Sequence, residues 1–308
     1  MRKTSYLLPI ALLIVFATFP LFAGVYLLNV MDMILIYLAL ALSWDMLLRS
    51  GQISFGIVGL FGIGGYTAGL LHVDACLNPV PSILMGGLAA GLVAWLIGMA
   101  VLQLRGMYFA IVTLALAEIF RVIIRNLPGL TGGPEGTVLP SAIFAGDSTR
   151  TYWLVLAIAL GTVIVSEIFR RTRIHFALTS IRNDEVVAKS SGINVFKYLV
   201  LIFVATSVIQ GIAGGAYAHI YGFVSPEGSF SIDFTLLPIA MAVLGGMHST
   251  WGPVVGAAVL GAISEFLKLN IPYGHLLVYG VIIVIAVLFF PRGIVGTIAQ
   301  GLDKTDHA

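Results

Sequence analysis

Charge is what this sequence has least of. Of its 308 residues only 10% are charged, while 59% are hydrophobic and the mean hydropathy is +1.04. A soluble domain carries roughly a quarter charged residues. A chain this poor in charge cannot cover a water-facing surface, so lipid is the solvent for most of it. The net charge of +2 is not spread as a basic face, and no nucleic-acid partner is expected. Cysteine is nearly absent as well. Cys76 alone excludes a disulfide framework within the chain and a cysteine-based metal cluster. The six histidines (72, 175, 219, 248, 275 and 307) lie far apart, so no metal site is expected, and His219 reads as a packing or hydrogen-bonding residue. There is no G-x-x-x-x-G-K-[ST] for nucleotide phosphates, no H-E-x-x-H and no G-x-S-x-G, and no catalytic residue is assigned.

What the chain does have is long apolar runs. Crossing the hydrocarbon as helix takes about 20 apolar residues. Runs near 6–28, 31–48, 82–104, 107–126, 151–169, 198–221 and 275–290 meet that requirement. Segments 52–71, 233–247 and 252–268 are apolar but short or interrupted, the first by glycines and the other two by Gly245-Gly246-Met247-His248 and Gly252-Pro253. Together they predict an all-α, polytopic transmembrane helical bundle of about ten passages in a single domain, 1–308. The three irregular segments either span fully or re-enter.

Basic residues set the orientation. The connection 170–197 holds Arg170, Arg171, Arg173, Arg182, Lys189 and Lys197 against Asp184 and Glu185, which makes it cytoplasmic by the positive-inside rule. The start, Met1-Arg2-Lys3 before an apolar run, could pass for a signal peptide. Pro9 and Pro20 interrupt that run and no small-x-small cleavage site follows, so it reads as a retained first span with its positive end inside. Ten passages place both termini in the cytoplasm. The stretch 127–150 is then the longest external loop.

Glycine is abundant inside apolar segments. In GQISFGIVGLFGIGGYTAG, residues 51–69, seven of nineteen residues are glycine. Each costs a helix about 1 kcal/mol against alanine in water. In lipid, small residues let helix backbones approach closely, and the pairs Gly65/Gly69, Gly87/Gly91, Gly211/Gly215 and Gly252/Gly256 have the required spacing. The expectation is a tightly packed, broken or kinked helix.

The basic connection carries more than charge. Ile181 to Ser190 fits one short amphipathic helix, with Ile181, Val187 and Ala188 apolar and Arg182, Asp184, Glu185 and Lys189 polar. Gly192 is placed to end it. An inert connector needs no such stripe. A helix of this kind suits docking into a cleft on a cytoplasmic partner.

The core IRNDEVVAKSSGIN, residues 181–194, resembles the cytoplasmic loop of ABC importer permeases of the branched-chain amino acid type. GQISFGIVGLFGIGGYTAGLL, LRGMYFAIVTLALAEIFR, LTGGPEG, GIAGGAYAHIYGFVSPEGSF, AVLGGMHSTWGPVVGA and LFFPRGIVG are similar to further motifs of that family in the same order, over roughly residues 45 to 296. The resemblance implies an importer half in a bacterial cytoplasmic (inner) membrane. It also implies a second, related permease chain as heterodimer partner, two cytoplasmic ATPases and a periplasmic or extracellular substrate-binding protein. No cofactor belongs to this chain; ATP and Mg would sit on the ATPases. Ile181, Arg182, Asn183, Asp184, Glu185, Ala188 and Gly192 would form the ATPase coupling element. The implied substrates are branched-chain or similar hydrophobic amino acids, with urea, short amides or aromatic compounds as the alternative within the family.

Polar residues inside the spans complete the candidates, because ionisable groups at membrane depth suggest function by default. Asp32, Asp45 and Glu167 stand near expected span ends, where an interfacial position would explain them. Glu118 and Arg121, three apart on one helix, either form an intramembrane ion pair or line the pathway. Glu265 has Lys268 three residues on. Gln52, Ser54, Tyr66, Thr67, Tyr108 and Thr113 are candidates for the substrate pathway. An ion-coupled secondary transporter would instead need unpaired carboxylates near the midplane, for which Glu118 is the one fair candidate.

Overall fold

The computed structural model describes residues 16, 18–140, 143–270, 280–281, 284 and 293–297. The apolar runs fold as long helices: α1 (Val25–Leu48), α2 (Ile57–Asp74), α3 (Pro79–Val101), α4 (Met107–Arg125) and α5 (Ser148–Arg171). The basic connection forms α6 (Arg173–Asn183) and α7 (Glu185–Ser190), followed by α8 (Val195–Tyr221), α9 (Asp233–Gly245) and α10 (Trp251–Asn270). Local signals set several starts. Pro79 and Pro81 open α3, where a missing N–H costs nothing, and Asp147 accepts from the N–H groups of Thr149 and Arg150 to cap α5.

Among the described residues seven segments are long and apolar enough to span: α1 to α5, α8, and Pro226–Gly245, which contains α9. Trp251–Leu267 is a shorter apolar helix. Seven of the roughly ten expected passages thus have a long apolar helix among the described residues. Residues 6–15 and 17 of the run 6–28, and most of 275–290, lie outside the described residues. The expected gap between 28 and 31 is filled, because α1 runs through Asn29 and Val30 without a glycine or proline to stop it. The glycine-rich segment is also corrected. It is not a broken helix: residues 57–74 form one continuous helix, preceded by a non-helical stretch at 52–56.

The spans alternate in direction, and side-chain ties mark the two ends. At the basic end Arg105 meets Glu185 and the backbone of His248 meets Asp45. At the other end Ser82 meets His219, Tyr26 meets Glu265, and a two-residue antiparallel pair joins β1 (Thr137–Val138) to β2 (Phe223–Val224). The side chain of Lys268 lies outside the described residues, and Glu265 accepts from Tyr26 Oη at 2.5 Å.

The centre of the bundle is α1 and α8. From Leu35 to Leu48 every residue of α1 is buried. α8 packs on α2 and α3, and the contact is glycine on glycine. A Cβ on Gly64 would fall on the backbone of Gly211, one on Gly86 on the carbonyl of Gly64, and one on Gly214 on the carbonyl of Phe61. Three helices thus touch through bare backbone, which gains dispersion contacts in lipid where hydrophobic driving force is absent. α9 and α10 close on each other in the same manner through Gly245, Gly252 and Gly256. α4 differs from the rest: it leans on α2 through Thr113 and Ala117, against Gly56 and Gly59, and is the least buried of the seven.

Candidate functional site

The basic connection is two helices rather than the single one expected over 181–190. Asp184 takes an extended backbone (φ −158°, ψ 113°) that ends α6. Its Oδ1 accepts from the N–H groups of Val186 (2.8 Å) and Val187 (3.1 Å), so it caps α7. A carboxylate that can bond the next turn competes with continuation of its own helix, and here the cap wins. Gly192 does end the element, at φ +80°. Its N–H donates to Lys189 and that of Ile193 to Ala188, the paired bonds of a Schellman stop.

Burial divides the apolar residues. Ile181 and Ala188 are buried within this chain, where they anchor the connection beside Leu178, Val195 and Leu199. Val187, expected with them, is 59% exposed, and Val186 is 75% exposed. Arg182, Asn183, Asp184 and Gly192 are also exposed. The outward face of α7 therefore presents two adjacent valines ringed by polar groups.

Glu185 joins this face to the rest of the protein. Its Oε2 accepts from Arg105 Nε at 2.8 Å and its Oε1 meets Lys189 Nζ at 2.9 Å. The Arg105 hydrogen bond, then that from Lys189, holds the carboxyl down at about 2, so it is ionised at any physiological pH. Arg105 was not among the expected site residues. Eighty positions separate it from Glu185, and no local pattern announces such a pair.

A second charged cluster lies beneath the connection. Asp45 and Arg49 are wholly buried and paired at 2.7 Å, and Asp45 also accepts from the backbone N–H of His248 at 2.5 Å. Arg49 lies 5.9 Å from the ring centre of Phe169 in α5. The stem of Arg182 packs beside Gly51. Asp45 stands near the end of α1, as expected, but is closed off from water within the bundle. It ties α1 to the α9–α10 connection, and the clue was available as i, i+4 spacing to Arg49. Asp32 does not stand at a helix end: α1 begins at Val25, and Asp32 is fully buried with no hydrogen-bond partner for its carboxylate oxygens among the described residues. Glu167 does sit at a span end, held by Arg170 and Arg171. His248 has a left-handed backbone (φ +63°). Partial burial first, then the charges of Arg182 and Arg49, lower its pKa to about 4.

The expected pathway residues do not form one group. Gln52, Ser54 and Thr113 converge where the stretch 52–56 meets α4, and backbone atoms occupy much of their polarity. Gln52 Nε2 donates to Leu104 O (3.3 Å), Thr113 Oγ1 accepts from Phe55 N (3.1 Å), and Ser54 Oγ accepts from Gly56 N (3.1 Å). Tyr66 is buried further along α2 against Phe230, with its hydroxyl unpartnered among the described residues. Thr67 is half-buried, and Tyr108 is 74% exposed on the outer side of α4. Glu118 and Arg121 do pair, on the exposed side of α4 rather than inside the bundle. Among the described residues no group of three or more His, Cys, Asp or Glu side chains gathers as a metal site would require.

The family model described as the branched-chain amino acid transport system / permease component matches residues 26–287. The chain is 29% identical to the high-affinity branched-chain amino acid transport system permease protein LivM of Salmonella typhimurium, over 92% of this chain and 73% of that protein. Its identity to LivM of Escherichia coli is 28% over the same shares. To LivH, the permease protein of the same name series in Escherichia coli, it is 26% identical over 57% of this chain and 60% of that one.

Proposed function

This multi-pass membrane protein belongs to the branched-chain amino acid transport permease family, and from that premise we propose that it is half of the membrane core of a bacterial ABC importer. It would move branched-chain or similar hydrophobic amino acids inward while separate cytoplasmic ATPases hydrolyse ATP. Likeness to both a LivM and a LivH relative favours a second permease of the same family as partner. A substrate-binding protein on the outer side would deliver cargo. The basic end is the cytoplasmic end on this reading.

One observation carries the coupling role: the exposed Val186–Val187 pair on a connection that is otherwise anchored by buried Ile181 and Ala188. Two adjacent valines on a short capped helix lose contact area to water unless a partner covers them. Exposed Arg182 beside them suits an acidic rim on that partner. The expected pathway residues keep that role as part of this proposal, with Tyr108 and the Glu118–Arg121 pair on the outer side of α4 facing the second permease across the route.

The test is reconstitution of this chain with a second permease of the family, two ATPases and a substrate-binding protein, followed by uptake of labelled leucine. Uptake should require ATP and the ATPases. Uptake by this chain alone, driven by a proton or sodium gradient, would assign it to secondary transport instead.

A further inference from the structure

The contact between Glu185 and Arg105 joins the basic connection to the corner of the bundle between α3 and α4. Arg105 lies between α3 and α4. Its Nε donates to Glu185 and its Nη1 donates to the carbonyl of Leu102 at 2.8 Å, so the guanidinium clamps the end of α3 to the first residue of α7. Gln52 holds the same corner through Leu104. The next residue, Gly106, has φ +56° and ψ −126°, a conformation that L side chains rarely adopt. A Cβ there would meet nothing within 4 Å, so the surroundings leave the turn free. α4 begins at Met107, immediately after it.

The other route out of the connection is α8, which packs on α6 and α7 near its start. It is a poor lever. Gly211 and Gly214 are wedged against the backbones of α2 and α3, and any swing would open those contacts. α4 is held mainly by α2, and its outer side, from Met107 and Tyr108 to Glu118 and Val122, is uncovered in this chain. A clamp beside a free pivot, on the helix least fixed by its neighbours, is the path of least resistance for a displacement of α7.

We propose that Arg105 is a positioning residue that transmits movement of the basic connection to α4, with Glu185 as the other end of the strut and Gly106 as the pivot. This rests on the reading that the connection docks on the ATPases, and the experiment separates the two.

The complete importer is reconstituted with Cys76→Ser and a single reporter cysteine, Ile111→Cys, on the outer side of α4. The rate of maleimide labelling is measured with and without ATP and vanadate. Four variants are compared in a Lys189→Gln background, so that a swapped arginine does not face Lys189: the parent, Arg105→Glu, Glu185→Arg and the double swap. The parent should show an ATP-dependent change in labelling rate, each single swap should lose it, and the double swap should regain it. A purely structural ion pair would not give loss and rescue of a nucleotide-dependent signal while the complex stays assembled. Single swaps that keep the parent's ATP response overturn the strut, as does a parent with no response. Val186→Asp with Val187→Asp addresses docking separately. If that variant still binds the ATPases and keeps the response, the docking reading fails, whatever the swaps do.

Discussion

The glycine contact among α2, α3 and α8 makes the sharpest prediction about stability. Gly64→Ala adds one methyl group at a point where the nearest atoms are the backbone of Gly211, and Gly86 in turn lies against the carbonyl of Gly64. A flexible side chain could rotate away from the new atom, but backbone cannot. The helices must separate, and separation also loosens the neighbouring Gly65–Gly214 approach. Overpacking a close-packed site costs about 1–3 kcal/mol. With backbone on both sides the upper end applies, about 3 kcal/mol, and Gly64→Leu should not assemble. The built-in control is Gly161→Ala in α5, where an added Cβ meets nothing within 4 Å. There the substitution relieves helix entropy and should stabilise by about 0.4–1 kcal/mol. Thermal unfolding in one detergent, followed by tryptophan fluorescence, compares the two. Opposite signs are expected. If Gly64→Ala unfolds with Gly161→Ala, or within about 0.5 kcal/mol of the unmutated protein, the backbone contact is not there.

Three further outcomes follow from the charged groups and the pivot. Breaking the buried Asp45–Arg49 pair by Arg49→Leu should cost about 3–5 kcal/mol, because Asp45 is left buried without its cation. Asp45→Asn with Arg49→Leu should recover part of that loss in the same unfolding assay; a double variant as unstable as the single would refute the pairing argument. His248 is held near pKa 4, below its usual 6.5, so the unfolded chain takes the proton first as pH falls. Its contribution is complete above pH 6.5 and is lost as pH falls towards 4, softened because the ring is partly exposed. Asn tolerates the left-handed backbone there, so His248→Asn should flatten the dependence of Tm on pH between 6.5 and 4, and an unchanged slope would assign it to other groups. Gly106→Ala should impair ATP-dependent uptake more than it lowers Tm, since it strains a pivot that touches nothing; a Tm loss with normal uptake would make Gly106 a structural glycine only.

Much of the architecture was legible because the deciding forces are local. Twenty apolar residues identify a span, and Gly192 ends α7 through its positive φ, whereas the start of α3 at Pro79 lay three residues before the expected run. The break at Asp184 was harder. The same residue fits the polar side of a continuous helix and the cap of a new one, and only the geometry of Val186 and Val187 decides. The glycine spacings pointed to close packing but not to which helices meet, since partner choice is a tertiary property. The Asp45–Arg49 pair was readable as i, i+4 spacing, but its burial and the bond from His248 come from tertiary packing. Arg105 had no sequence signal at all, because its partner is brought in by the fold.

In the proposed importer Val186 and Val187 seat this chain on an ATPase. A single cysteine at Val187, in a Cys76→Ser chain within the assembled importer, tests it most directly through a short bifunctional crosslinker. The predicted result is a covalent product with an ATPase subunit whose yield changes when ATP and vanadate are added, while a cysteine at Ile164, exposed on α5, gives none. An assembled importer that transports yet yields no ATPase product from position 187 would contradict the claim.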